Sequence, residues 1–559
     1  MKKIFYIVFL LAAFNLNNLV VAKKKDFPKI SIGSQSRASF ALDKVKDKLP
    51  DLAKWYGYSV NDFTKLLKQD KTLRLDTRGR LFVADDAPDL SMQVNPQAAS
   101  TLDINIPLAE TFFLHSNPGS SKVIYLDFNG HIIPANSAWA DSYNNGAEIH
   151  APAFSTDADL DNFSNSELQI IQDVWRLVAE DFAAFDVDVT TEEPPESALL
   201  RDSSFDNNFG SRVLISPISS YFGDYGGLAY VGVFDNIGDY YQPALAFTDK
   251  VGNTAKNIGE VSSHEAGHNL GLNHDGTSDG DAYYTGHGDW APIMGSAYSK
   301  SVTQWSNAEY ANANNTQDDL LVMEEYGLSL KNDDYGNSIE SASTLNINAG
   351  DVSQNGFIHH RDDVDYFVFE TKAGPIDLYI SPAQYSPNLD ILASLYDSSG
   401  NLILSSDPEA MSANLSARLD PGTYYISVDG TGSADPLDTG YSDYSSLGFY
   451  SITGNISAAK NATQINPPTN LTASFLTRET VVLDWFDAST NETGFVIERA
   501  VKMKGKRRSP FTEIAQTAAN IITYTDTVSA NTYIYRVRAI NANNETSSNY
   551  SNKARIRLR

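Results

Sequence analysis

Three of the nine histidines fall within one short run, His264-Glu265-Ala266-Gly267-His268-Asn269-Leu270-Gly271-Leu272-Asn273-His274-Asp275. On a helix, positions i and i+4 share a face, so His264 and His268 can aim their imidazoles at one metal ion. Glu265 is turned off that axis and suits a general base for zinc-bound water better than a ligand. Gly271 lets the helix end with a positive φ, and the chain can then return His274 as a third ligand. Three protein ligands leave a fourth position open, which distinguishes a catalytic zinc from a closed structural one. Ile258, Val261, Leu270 and Leu272 supply an apolar face, so the core does not need these histidines.

The elements that must hold this run can be read on either side of it. The zinc helix is expected from about Thr254 to Leu272. Upstream, Lys122–Phe128 is apolar enough for a buried strand and is closed by Asn129-Gly130. Ile171, Val174, Val178, Phe182 and Phe185 follow the helical period across Glu167–Phe185. Short strands are expected at Val187–Thr190, Arg212–Ile215, Gly227–Phe234 and Ala244–Phe247, with a closing helix over Thr303–Leu321. A strand, a long helix, further strands and then the metal helix predict an α/β layer with the metal at its edge.

The run resembles the zinc signature HExxHxxGxxH of the metzincin metallopeptidases. Asp275 after the third histidine resembles the adamalysin-like (reprolysin) branch. That resemblance implies a methionine turn beneath the metal, and Pro292-Ile293-Met294-Gly295-Ser296 stands where one belongs. Met294 would form its apolar floor. Some metzincins carry a tyrosine two residues after that methionine; here position 296 is serine, and Tyr298 is the nearest candidate. The resemblance also implies that Gly226-Gly227-Leu228-Ala229-Tyr230-Val231-Gly232 is a cleft-side edge strand able to hold an extended peptide by main-chain hydrogen bonds.

A chain of 559 residues with 42% hydrophobic content has room for several globular domains. Lys2-Lys3, the apolar run Ile4–Phe14 and Val20-Val21-Ala22 read as a secretory signal over 1–22. No later stretch is long enough to span a bilayer. A soluble mature protein is therefore expected, and the complete lack of cysteine in an exported chain points to a bacterial, extracellular one. It also means that no thiolate can cap the zinc. A net charge of -28 excludes a general nucleic-acid binder. The basic run Lys502–Arg508 lies between two strand-like segments and suits an exposed hairpin loop.

Residues 23–118, between signal and enzyme, read as a pro-region, with a helical stretch from Leu49 to Leu67 and strand-like runs at Thr72–Asp76 and Leu81–Ala84. The peptidase-like domain is assigned to 119–330. Short, evenly spaced strands over 331–457 predict a β-sandwich: Asp365–Glu370, Ile376–Ile380, Ile391–Tyr396, Leu415–Leu419, Thr423–Val428 and Phe449–Gly454. Asp362–Phe367 and Leu419–Val428 resemble the pre-peptidase C-terminal domain. Its aspartates suit either structural Ca2+ ligation or turn formation, and no ligand is assigned among them. After the linker Asn466-Pro467-Pro468, residues 466–559 resemble a fibronectin type III domain, with Trp485 in its core and Tyr533 as its tyrosine corner.

The expected architecture is therefore multidomain, an α/β metzincin-like catalytic domain followed by two all-β sandwich domains. The expected chemistry is hydrolysis of peptide bonds in extracellular proteins, with one catalytic Zn2+ on His264, His268 and His274. The sandwiches are candidates for binding extracellular polymers, and a monomer is expected. The competing expectation is a secreted adhesin or polymer-binding protein whose zinc domain is inactive; a zinc hydrolase acting on another bond is a further rival.

Overall fold

The computed structural model describes residues 26–90, 106–157, 159–458, 465–477, 479–489, 492–503, 508–529, 531–541 and 546–557. The expected export signal at 1–22 and most of the basic run, 504–507, lie outside the described residues; Lys502 and Arg508 on either side of 504–507 form an antiparallel bridge. Among the described residues, no helix is long and apolar enough to cross a membrane.

The chain divides into two compact units between Leu81 and Phe82. In the first, the expected single helix from Leu49 to Leu67 is two, Leu49–Trp55 and Val60–Gln69. The break falls at Tyr56–Ser59 because the Ser59 hydroxyl accepts from the Asp62 N–H and starts a new helix. Phe63 and Leu67 lie on the buried face of that second helix.

The second unit begins with strand β1 (Leu81–Asp86), of which Phe82–Asp86 belong to this unit. It continues with β2 (Lys122–Asp127), α1 (Asn165–Asp181), β3 (Asp188–Thr190), β4 (Phe209–Ser216), β5 (Tyr225–Tyr230), β6 (Ala244–Phe247) and α2 (Ala255–Asn269). These strands form one sheet in the order β1-β5-β6-β4-β2-β3. The β6–β4, β4–β2 and β2–β3 pairs are parallel, whereas β6–β5 and β5–β1 are antiparallel. The free edge expected of β5 is not found. This strand is flanked on both sides, by β6 and by β1 from far upstream.

Period-two alternation explains why β1 belongs here. Phe82 and Ala84 enter an apolar cluster with Trp139, Leu228, Tyr230 and Leu245, and the Phe82 ring lies 5.6 Å from that of Trp139. Val83 and Asp85 therefore face the other side of the sheet, where α2 packs against β5. Burying a phenylalanine side chain is worth about 1.5–3 kcal/mol, so Phe82 alone is a substantial anchor for the strand.

Both long helices are capped. Ser164 and Glu167 form a capping box on α1, and the Thr254 hydroxyl accepts from the Asn257 N–H at the start of α2. The expected closing helix over Thr303–Leu321 is absent. A strand at Val302–Gln304 leads into a loop, and a helix follows only at Asp319–Glu325. The Asn-rich stretch between them favours turns over helix, and Ala308 and Asn312 take positive φ.

The first sandwich differs from expectation at one place. The two strands expected at Asp365–Glu370 and Ile376–Ile380 are one long strand, Val364–Pro382. It changes partner midway, pairing with Gly422–Asp429 over its first half and with Ala413–Leu419 over its second. A register shift between Thr371 and Ile376 lets it bend from one layer to the next. Its core is continuous with that of the preceding sheet-and-helix region: Val178, Trp305, Leu389 and Leu447 belong to one buried cluster. In the last sandwich, Trp485 is buried against Phe495, and the Tyr533 hydroxyl donates to the Ser529 carbonyl at 2.9 Å. Both residues thus take structural roles.

Candidate metal centre

Helix α2 carries His264, Glu265 and His268 and ends at Asn269, with Leu270 as its C-terminal cap. Gly271 has φ +94, and a Cβ there would run into the ring of Tyr326. Glycine alone permits this turn, which brings His274 back toward the helix. His268 Nε2 lies 3.1 Å from His264 Nε2 and 3.1 Å from His274 Nε2. His264 Nδ1 donates to the Ile293 carbonyl and His268 Nδ1 to the Leu272 carbonyl, each at 2.8 Å. A neutral imidazole that donates from Nδ1 presents a lone pair at Nε2. These lone pairs converge on one point, where a single cation can satisfy them together.

The donor set fits zinc. Bonds of roughly 2.0–2.1 Å in a tetrahedron place neighbouring ligand nitrogens about 3.3 Å apart, close to the spacing found here. The sequence-expected ligands are thus brought together, and the methionine turn supports them. Ile293 orients His264, while the Met294 carbonyl accepts the Asp275 N–H at 2.8 Å and Met294 itself is fully buried. Asp275 is also buried, and Asn315 donates to its Oδ1 at 3.3 Å. Burial pushes the Asp275 carboxyl up to about 7, against the pull of His274 and Asn315.

Glu265 is fully buried, and neither of its carboxylate oxygens has a hydrogen-bond donor within ordinary geometry. Strand β5 makes room for it, since a Cβ at Gly227 would overlap Glu265 Oε1. Burial, followed by the nearby Asp85 carboxylate, raises the Glu265 pKa well above the usual range. A buried carboxyl with a raised pKa beside a metal site is the profile of a proton-transfer group. Burial also lowers His264 to about 3, which keeps its ring neutral and able to ligate. Tyr298 is half-buried; desolvation and then Asp85, Glu265 and Glu260 lift its hydroxyl well above the ordinary phenol value. It thus lies within electrostatic reach of the centre.

Two residues at the centre carry no assignment from the sequence. Asp85, on β1, is Cα partner to Gly227 and points its carboxylate at the histidines. Its Oδ1 lies 2.8 Å from His274 Nε2, and its Oδ2 lies 3.5 Å from His264 Nε2 and 3.6 Å from His268 Nε2. Burial alone would raise its pKa, yet His274 and His264 hold it well below the usual carboxylate range. Tyr283 is the other. Its hydroxyl donates to Asp85 Oδ1 at 2.8 Å and accepts the Asp86 N–H at 3.2 Å, and its ring sits 4.5 Å from that of His274. The sequence signal for Asp85 is faint: an acidic pair closing the apolar strand Leu81–Ala84. Tyr283 carries none.

Asp85, His264, His268 and His274 form the buried group able to hold an ion among the described residues. Two partly exposed groups in the first sandwich also cluster closely enough, Asp333/His359/Asp363 and Asp333/Asp334/Asp365. There His359 Nδ1 pairs with Asp363 Oδ2 at 2.7 Å, and Asp365 Oδ2 accepts from the Tyr450 hydroxyl at 2.6 Å. Several candidate donor atoms are thus already engaged by the protein.

Residues 180–306 match the Reprolysin_5 sequence profile, described as Metallo-peptidase family M12. This segment is a metallopeptidase-type domain, and it contains all three histidines. No curated protein matches the chain. Among solved structures, a Fn3-like protein from Clostridium thermocellum is 26% identical over 16% of this chain and 90% of its own, with a TM-score of 0.14. A structure of titin kinase and its flanking domains is 23% identical over 16% of each chain, with a TM-score of 0.14, so this chain spans less than a fifth of that one. The pre-peptidase C-terminal domain of a collagenase from Bacillus anthracis is 16% identical over 20% of this chain and 96% of its own, with a TM-score of 0.16.

Proposed function

We propose that the chain is a secreted, zinc-dependent endopeptidase of metzincin type, with Glu265 as its general base. The reading is carried by one observation: three imidazole Nε2 atoms converge beside a buried, unpartnered Glu265 within the segment that matches a metallopeptidase family. His264, His268 and His274 would hold the ion. Zinc, when bound there, supplies Lewis acidity toward the scissile carbonyl and toward water. Glu265 takes a proton from the attacking water and passes it to the departing amine. Its burial keeps water from competing for the carboxylate, and its raised pKa suits a group that must both accept and release a proton. The carbonyls of Ile293 and Leu272 fix the ring planes of His264 and His268, so the ligands need little reorganisation.

The side of β5 that pairs with the extended segment Phe82–Asp86 is one that suits a peptide chain held by main-chain hydrogen bonds, which favours a protein substrate over a small ester or amide. Residues 1–22 serve export, residues 23–118 act as a pro-region, and the two C-terminal sandwiches hold polymeric substrate or assist secretion. Asp275 and Met294 support the ligand loop, and Tyr298 is the candidate for stabilising negative charge on the reacting carbonyl. The protein acts as a monomer outside the cell.

The test is release of peptides from casein by the protein recovered from culture medium, assayed as secreted and after limited trypsin treatment. Release should stop with a chelator and return with Zn2+. Glu265→Ala should keep one equivalent of metal and lose activity by a factor on the order of 10³. Cleavage by that variant at the wild-type rate would remove Glu265 from the mechanism. Metal binding without peptide release under either condition would favour the polymer-binding alternative.

A further inference from the structure

We propose that Asn388, in the loop leading into strand Ile391–Tyr396 of the first sandwich, is a positioning residue of the metal centre: through Gln304 and Asp181 it fixes the orientation of His264. The inference rests on the reading of His264 as a zinc ligand. It gives the sandwich a part in the centre itself, from outside both the histidine run and the family match at 180–306.

Two hydrogen-bonded routes lead from Asn388 to His264. The first starts at its main chain. The Asn388 carbonyl accepts from Gln304 Nε2 at 2.6 Å, and Gln304 Oε1 accepts from Trp290 Nε1 at 2.9 Å, so both ends of the Gln304 amide are held. The Gln304 carbonyl accepts the Ile293 N–H at 2.8 Å, and the Ile293 carbonyl accepts from His264 Nδ1. The methionine turn is thus tied on one side to a ligand and on the other to the sandwich loop. The second route starts at the side chain. Asn388 Nδ2 donates to Asp181 Oδ1 at 3.0 Å, and the Ser263 hydroxyl donates to Asp181 Oδ2 at 2.5 Å. Ser263 immediately precedes His264, so this route pins α2 where the first ligand leaves it.

Burial gives these bonds their weight. Asn388, Gln304, Asp181 and Ser263 are all buried, so bulk water cannot stand in for a lost partner. The loop is held firmly from the sandwich side as well. Ser446 Oγ accepts the Asp390 N–H at 2.8 Å, and the Tyr441 hydroxyl donates to Asp390 Oδ2 at 2.7 Å. Leu389 is fully buried in the apolar cluster that also contains Val178 and Trp305. The sandwich also comes close at Gly448, where a Cβ would overlap Glu180 Oε1 on α1. A ligand imidazole keeps its aim only as well as the acceptor behind it is fixed. A contact serving docking alone would end at the interface, whereas this one ends on the acceptor of a ligand ring.

The test uses the full chain, with Co2+ as the probe and casein cleavage under the condition in which the wild type is active. Asn388→Ala removes the donor to Asp181. Gln304→Met keeps the bulk of the side chain and removes both of its hydrogen bonds. Each should still bind one equivalent of Co2+, shift the visible Co2+ spectrum and lower kcat by about tenfold, with KM within about twofold. Exchanging the pair, Asp181→Asn with Asn388→Asp, again sets a donor against an acceptor and should return spectrum and kcat to within about threefold of wild type. Tyr444→Phe removes a different sandwich contact, the hydroxyl that donates to Asp318 and accepts the Leu320 N–H, and should leave the Co2+ spectrum as it is. If Asn388→Ala does not fold, Gln304→Met and the exchanged pair decide by the same readouts. A wild-type spectrum and kcat in the folded single variants, or an equal spectral shift in Tyr444→Phe, would overturn the positioning role and leave the zinc reading standing. If the wild-type chain binds no Co2+, the zinc reading fails and takes this inference with it.

Discussion

His264 and His115 each meet carboxylates in the same unit, yet they end in opposite chemical states. His115 is part-exposed and gives both ring nitrogens to acids, Nδ1 to Asp188 and Nε2 to Glu192, each at 2.7 Å. The hydrogen bond to Asp188 raises its pKa to about 9, so the ring is a cation shared between two acids. His264 is buried, gives Nδ1 to a backbone carbonyl and is lowered to about 3. Its Nε2 therefore keeps a lone pair for a metal. Acidic company does not make a histidine a ligand or a salt bridge. Burial and the partner of the other nitrogen decide which it becomes.

The sharpest way to break this contrast is to delete each ring. His264→Ala should abolish zinc retention and peptidase activity, whereas His115→Ala should leave both within about twofold of wild type. Metal content by atomic emission and peptide release from casein measure the two arms. If His115→Ala also lost the metal, the distinction between the two histidines would collapse.

A finer intervention leaves the three histidines alone and displaces Glu265. Gly227→Ala places a Cβ where Glu265 Oε1 sits, so activity should fall by about 10²-fold while the protein still carries one equivalent of zinc. Unchanged kcat in that variant would mean that Glu265 has another place to go. Thr254→Ala tests the helix rather than the site. Loss of its cap should cost about 1 kcal/mol in chemical denaturation and leave the metal in place.

The smallest effect concerns pH. Because the folded pKa of His115 is raised, its stabilisation is fully present below the unfolded value of about 6.5 and is lost as pH rises through about 9. The ring is partly exposed, so solvent screening should hold the contribution to about 0.5–1 kcal/mol. Thermal melts at about pH 6 and about pH 10 should show this loss in the wild type. His115→Asn should show a flatter profile, and equal slopes for the two proteins would remove His115 as the source.

Much of the site was legible because it is local. His264, Glu265, His268, Gly271 and His274 lie within a few turns of chain, and helix geometry alone predicts which of them share a face. The α2 helix lies within three residues of its expected bounds, and β6 matches Ala244–Phe247. Less legible was whatever depended on a partner far along the chain. The single strand Val364–Pro382 reads as two because its bend is set by the strands it joins. The stretch Thr303–Leu321 reads as a closing helix, but its asparagine-rich middle takes turns, with Ala308 and Asn312 at positive φ.

The sequence by itself determined which three histidines could converge on one point, the chemistry open to such a set and the lack of any thiolate beside them. Only the tertiary structure decided that β5 has no free edge and that Asp85 and Tyr283 reach the centre. The physical reason is range. Helical periodicity and glycine turns are encoded within a few residues, whereas strand pairing joins Asp85 to Gly227, far along the chain, through backbone groups common to every sequence. Side-chain chemistry announces a ligand, and backbone pairing, nearly blind to sequence, decides what is laid against it.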